Sequence, residues 1–162
     1  MYKLRIAGLV NDSIVDGPGM RLTVFCQGCP HNCKGCHNKH THDFKGGYDI
    51  DIDDIVTKAK NNKILSGVTF SGGEPMCQPK AFLELAKKIK AETDLNIICY
   101  TGYTIEELQA MNNPDINELL DICDWLIDGK FVEELKDLTL AFRGSSNQRI
   151  IELKNNTIEW TR

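Results

Sequence analysis

The residues of this chain best able to do chemistry crowd into one stretch. FCQGCPHNCKGCHN, residues 25–38, holds four of the seven cysteines within eleven positions, as Cys26-x-x-Cys29 and Cys33-x-x-Cys36. Thiols this dense bind metal or run redox chemistry. Structural zinc sites usually place their two ligand pairs about a dozen or more residues apart, so that the backbone can close a tetrahedron. Here three residues separate the pairs, which makes that closure awkward, although a zinc-binding interaction module built on all four cysteines stays open as an alternative. The bacterial ferredoxin run puts its three-residue gap before the last cysteine and a proline after it, whereas here that gap is central and His37 follows Cys36. Setting Cys26 aside leaves Cys29, Cys33 and Cys36 on one tight loop. Three protein thiolates on a four-iron cluster would leave one iron open to a further ligand, as catalytic zinc keeps an open position. Cys26, closing an apolar run, is then expected to be a buried free thiol.

Other stretches carry candidate binding residues. In SGGEP (71–75), Gly72 and Gly73 allow close backbone approach to a ligand and Glu74 can hold an ammonium, although a turn before a helix uses the same residues. DSIVDGPGMR (12–21) reads as a turn-rich entrance to a strand. Arg143 and Arg149 in FRGSSNQR (142–149) could pair with a ligand carboxylate or an acidic partner, or structurally with Glu133 or Glu134. His31, His37, His40 and His42 lack a closed ligand set and are expected in solvated or capping roles. Cys77, Cys99 and Cys123, well separated, are expected to fill core or subsurface space.

The elements that must position these residues alternate. Apolar, β-branched runs at 21–25, 67–70, 95–100, 124–128 and 149–153 predict buried strands. Between them, helical spacing predicts helices over about 51–62 and 79–91, one starting at Thr104 with a capping box to Glu107, and a short one from Pro114 to Leu120. Strand-helix alternation on this scale argues for an α/β fold with a mostly parallel sheet. About five strands close only an incomplete, open barrel. Ligands in such folds sit beyond the carboxyl ends of the strands, so the loops FCQGC, SGGEP, YTGY and DGK should share one rim.

At 162 residues the chain fits a single domain, 1–162, and is too short for a complete eight-stranded barrel of about 250 residues. The net charge of −4 supplies no basic field for nucleic acid. No stretch approaches the ~20 apolar residues of a membrane span, and no amino-terminal leader is evident. An odd number of cysteines, seven, most of them unsuited to free pairing, fits a reducing, cytoplasmic setting.

The run CPHNCKGC (29–36) resembles the signature of the radical S-adenosylmethionine (SAM) superfamily, and SGGEP resembles its Gly-Gly-Glu element. DGPGMR together with GCHN is similar to the activating enzymes of glycyl-radical proteins. LIDGKF (126–131) and the following EELKDLTLAFRGSSNQRII resemble the end of anaerobic ribonucleotide reductase activating proteins, so the likeness runs from Asp12 to about Leu153. The resemblance implies an open βα barrel of the radical SAM type and a [4Fe-4S] cluster on Cys29, Cys33 and Cys36 whose open iron takes SAM. It implies that Gly72, Gly73 and Glu74 meet the methionyl amine, that the backbone of Gly35, Cys36 and His37 meets the adenine, and that Lys130 approaches the SAM carboxylate. Gly35 stands where the superfamily often has an aromatic, so adenine stacking is not expected from that position. Asp16, Gly17 and Gly19 would lie near a target peptide. The implied activity is cleavage of SAM to a 5'-deoxyadenosyl radical that installs a glycyl radical on the large subunit of anaerobic ribonucleotide reductase, fed by a low-potential donor such as flavodoxin or ferredoxin. A radical SAM enzyme acting on a small molecule, similar to 7-carboxy-7-deazaguanine synthase, is the alternative of the same chemistry. Whether the protein is a monomer or a homodimer is left open.

Overall fold

The computed structural model describes residues 2–36 and 39–153. At its centre are four parallel strands, β2 (Arg21–Cys26), β4 (Gly67–Gly72), β5 (Asn96–Tyr100) and β6 (Trp125–Asp128). Their near-continuous burial follows from sequence: runs such as LTVFC and VTFS offer β-branched and apolar side chains to both faces, as internal parallel strands require. β1 (Lys3–Ser13) and β3 (Tyr48–Asp51) extend one edge antiparallel, and β7 (Arg149–Glu152) closes the other. Among the described residues the sheet therefore has seven strands, in the order β3-β1-β2-β4-β5-β6-β7.

This corrects the expectation of about five mostly parallel strands. The α/β class holds, but three of the six strand pairings are antiparallel, and two of the strands that make them, β1 and β3, were not anticipated. β1 is half-exposed and interrupted by register shifts around Gly8 and after Val10, and β3 is the polar run YDID. Neither carries the buried, branched pattern that marks an inner strand.

Helices α1 (Ile52–Asn61), α2 (Pro79–Glu92), α3 (Ile105–Ala110) and α4 (Pro114–Ile122) join the parallel strands. Their starts are those the sequence announces. Asp51 accepts from Asp53 N, Thr104 and Glu107 form the capping box, and Asn113 accepts from Asp115 N and Ile116 N ahead of Pro114. Ile52, Ile55, Phe82, Leu85, Ile89 and Leu119 pack with Leu22, Val24, Val68, Phe70 and Ile97 in the main core. The opposite face of the sheet buries a smaller cluster of Ile98, Trp125 and Ile127 with Tyr100, Phe142 and Ile150 against it. A cavity lies on that face, roofed by loops. Among the described residues no helix is long and apolar enough to cross a membrane.

Candidate functional site

The cavity measures about 730 Å³ and takes its walls from all four anticipated rim regions: Cys29 after β2, Ser71, Gly72 and Gly73 at the end of β4, Thr101 and Gly102 after β5, and Gly129 after β6. Sequence-distant loops meet because parallel strands all end on the same side.

Cys29, Cys33 and Cys36 line this cavity. Cys26 does not; it is fully buried in the main core with Leu22 and Val24, as the two-residue alternation of β2 demands. The loop carrying the three thiols is anchored from behind. Gly28 N donates to Thr41 O (2.6 Å), Cys29 N to His42 O (3.1 Å), and Gln27 Nε2 to His40 O and Asp43 O (3.1 and 2.7 Å). Burial pushes the Cys29 and Cys33 thiols up, and the nearness of Cys36 adds to both. Lys130 counteracts this at Cys33. Three thiols facing one cavity suit a positively charged, thiophilic group, whose binding would deprotonate them.

Three cysteine side chains on the wall of one cavity are a donor set that fits an iron-sulfur cluster with three protein ligands.

The second constellation is tied to the first through the backbone. Gly73 N donates to Cys26 O (2.9 Å) and Glu74 N to Gly28 O (2.7 Å). Gly72 has φ +99°, and a Cβ there would come within 2.5 Å of Cys26 N and 2.7 Å of Cys26 O, atoms of a β2 strand that cannot move aside. Gly72→Ala is therefore expected to cost about 2–3 kcal/mol and to prise apart the ends of β2 and β4. Thermal melting of the variant, paired with its iron content, checks this; a melting point equal to the wild type's would refute it.

Glu74 is placed differently from its expected role. Its carboxylate is fully buried and spends both oxygens on protein donors: His31 Nε2 (2.5 Å), Gly102 N (2.8 Å), Thr101 Oγ1 (2.8 Å) and Met76 N (3.0 Å). What faces the cavity beside it is the backbone of Gly72 and Gly73. Lys130 is exposed and off the cavity wall, while Arg143 lies on that wall, its Nε on Ala141 O (3.3 Å). Asp128, two residues before Lys130, is buried and accepts from Arg149 Nε (3.0 Å) and Nη2 (2.5 Å) and from Ile105 N (2.8 Å). Arg149 also reaches Glu106 (2.6 Å), and these carboxylates raise its guanidinium well above the ordinary value. Arg149 is thus structural, through Asp128 and Glu106 rather than Glu133 or Glu134.

Asp16 lies on the cavity wall with Ile14 and Val15, and its carboxylate accepts from Ser13 Oγ (2.6 Å) and Thr23 Oγ1 (3.2 Å). Gly17 is buried against Ile98, and Gly19 is exposed beside Ser66. Gly35 has φ +76° and packs by Glu133. His37 lies outside the described residues. His31 and His42 line the cavity and His40 is exposed. Cys99 and Cys123 are buried in contact with one another, but Cys77 is exposed, because the 3-10 turn Pro75–Cys77 buries Pro75 and Met76 instead. Sequence reasoning missed two residues altogether: His31 as a partner of Glu74, and Arg21, buried beneath the 14–20 hairpin. A histidine between two candidate ligands, with an acid after paired glycines, was the available signal for the first.

A family model described as a 4Fe-4S single cluster domain matches residues 15–151. The chain is 40% identical over 144 residues to the anaerobic ribonucleoside-triphosphate reductase-activating protein of Vibrio cholerae, covering 85% of this chain and 90% of that one. It is 38% identical over 148 residues to the protein of the same name from Escherichia coli K12 (87% and 94% covered). Against that from Enterobacteria phage T4 the identity is 31% over 141 residues (84% and 86%). Among solved structures, QueE from Escherichia coli is similar with a TM-score of 0.49 at 17% identity, over 63% of this chain and 54% of that one.

Proposed function

Because the chain belongs to the family of anaerobic ribonucleoside-triphosphate reductase-activating proteins, we propose that its cavity holds a [4Fe-4S] cluster and SAM and serves to install a glycyl radical on the large subunit of that reductase. The observation that carries this reading is the sorting of the cysteines: Cys29, Cys33 and Cys36 face the same cavity as Gly72 and Gly73, while Cys26 is sunk in the core. When bound, cluster and SAM supply a one-electron cleavage of a carbon-sulfur bond and a carbon radical able to take a hydrogen atom from a glycine.

The chain's own residues bind, orient and shield. Cys29, Cys33 and Cys36 supply three thiolates, and the Gly72–Gly73 backbone, unhindered by side chains, can accept the methionyl ammonium. Glu74 adds a negative charge directly behind those glycines. The backbone of Gly35 and Cys36 would hydrogen-bond the adenine edge. Arg143 on the wall, joined by Lys130 if that side chain swings inward, answers the SAM carboxylate. Phe131, Leu140 and Phe142 make much of the remaining wall apolar, which keeps water from a reactive carbon centre. At the far side Asp16, on the hairpin that Gly17 and Gly19 shape, meets the target peptide, whose entry is flanked by the exposed Ile14, Val15 and Leu138. A reducing cytoplasm with a flavodoxin or ferredoxin donor is the setting this chemistry needs.

The test is anaerobic. Reconstituted protein, reductant, SAM and the reductase large subunit are expected to give a glycyl radical signal in electron paramagnetic resonance. A fully iron-loaded protein that yields no such signal would sink the reading.

A further inference from the structure

The carboxyl group of Glu74 is fully buried at the junction of the rim loops. Buried carboxylates persist only when hydrogen-bonded on every side, and the origin of its donors is informative. Met76 N belongs to its own loop, and Thr101 Oγ1 and Gly102 N to the loop after β5. The remaining donor, His31 Nε2 at 2.5 Å, comes from the middle of the cysteine loop, between Cys29 and Cys33.

His31 is itself held. Its side chain is only 5% exposed, and its ring meets Tyr103 edge-on at 4.5 Å between centroids. It also packs so closely over Gly102 that a Cβ there would lie 2.4 Å from the ring. Tyr103 O accepts from Gly129 N (3.0 Å), so the contacts run from the cysteine loop through Glu74 and the 101–103 loop to the loop after β6. Facing a carboxylate, Nε2 is the protonated nitrogen.

We propose that His31 is a positioning residue: by donating to the buried Glu74 it fixes the arc between Cys29 and Cys33 relative to the Gly72–Gly73 backbone, so that thiols and cofactor-binding backbone keep one separation. This rests on the cluster-and-SAM reading of the cavity. A side chain standing behind ligands in this way typically shifts binding at the site by about 10–100-fold.

The experiment compares wild type, His31→Ala, His31→Gln and His31→Leu as anaerobically reconstituted proteins. Iron per chain is measured, and the reduced cluster's paramagnetic resonance spectrum is titrated with SAM. His31→Ala is expected to load iron close to the wild-type level yet to need about tenfold more SAM for the spectral change. Glutamine, which keeps an N–H donor of similar reach, should recover most of that affinity. Should the alanine protein not accumulate, the same contrast is read between glutamine and leucine, which fills the space without a donor. The inference is overturned if donor-less variants bind SAM as the wild type does, or if they lose stability and iron while their loaded fraction binds normally. The second result marks a merely structural histidine. A wild-type cluster whose spectrum ignores SAM overturns the functional reading as well, which separates the two failures.

Discussion

Alanine at Cys29, Cys33 or Cys36 is expected to abolish cluster loading and with it all activation, while alanine at Cys26 leaves about four irons per chain. The asymmetry follows from direction. Alternation along β2 turns Cys26 into the core beside Leu22 and Val24, where burial, with Glu74 adding to it, holds its thiol well above the ordinary range. A buried neutral thiol is a small hydrophobe, and trimming it costs about 1 kcal/mol of packing. The other three stand on the cavity wall, where in the proposed reading each would be the sole protein ligand of one iron. Removing one leaves an iron without protein support and the remaining thiols too few to retain the cluster. Iron analysis and visible absorption after anaerobic reconstitution decide it. A Cys26 variant that fails to load, or a wall variant that loads fully, would return the four-cysteine site to consideration.

Much of the fold was legible because it rests on local rules. The inner strands declared themselves as short branched runs, and the helices by apolar stripes, the capping box at Thr104 and the proline at position 114. The shared rim followed from parallel topology alone. What escaped depends on long-range choices. β1 and β3 are held by pairing rather than composition, so their mixed sequences carry no strand signal. Glu74 sits in a motif whose residue types predict a ligand contact, yet four donors from three loops claim its oxygens. Asp128 is claimed likewise by Arg149, which is 21 residues away. Cys77 looks apolar enough to bury, but the turn it ends has only two buried positions, taken by Pro75 and Met76. In each case the residue type was readable and its partner was not.

Arg21 shows the same limit with the largest consequence for stability. The side chain is completely buried at the start of β2, and among the described residues no carboxylate hydrogen-bonds it. Its guanidinium is solvated by the protein: Nε donates to Thr69 Oγ1 (2.7 Å), Nη1 to Pro18 O (3.0 Å), and Nη2 to Val68 O (3.0 Å) and Asn96 O (3.4 Å). Burial lowers it to about 10, so it remains charged at neutral pH. Thr69 Oγ1 in turn donates to Asp16 O (2.8 Å). One planar side chain thus staples the 14–20 hairpin onto β4 and β5, and Asp16 keeps its place on the cavity wall through it. Arg21→Met roughly conserves volume and relieves the buried charge, but it strands the Pro18 carbonyl and frees the hairpin. The expected net loss is about 3 kcal/mol, or a melting point lower by roughly 10 °C for a chain of this size. Arg21→Lys should recover less than half, because a compact ammonium cannot serve four acceptors spread in a plane. The hairpin also carries the Ile14–Val15 lip, so glycyl radical yield should fall in both variants even well below their melting points. Urea unfolding of the two proteins decides the matter: a methionine variant within about 1 kcal/mol of wild type would mean that the hairpin holds itself in place through Asp16, Ser13 and Thr23 alone.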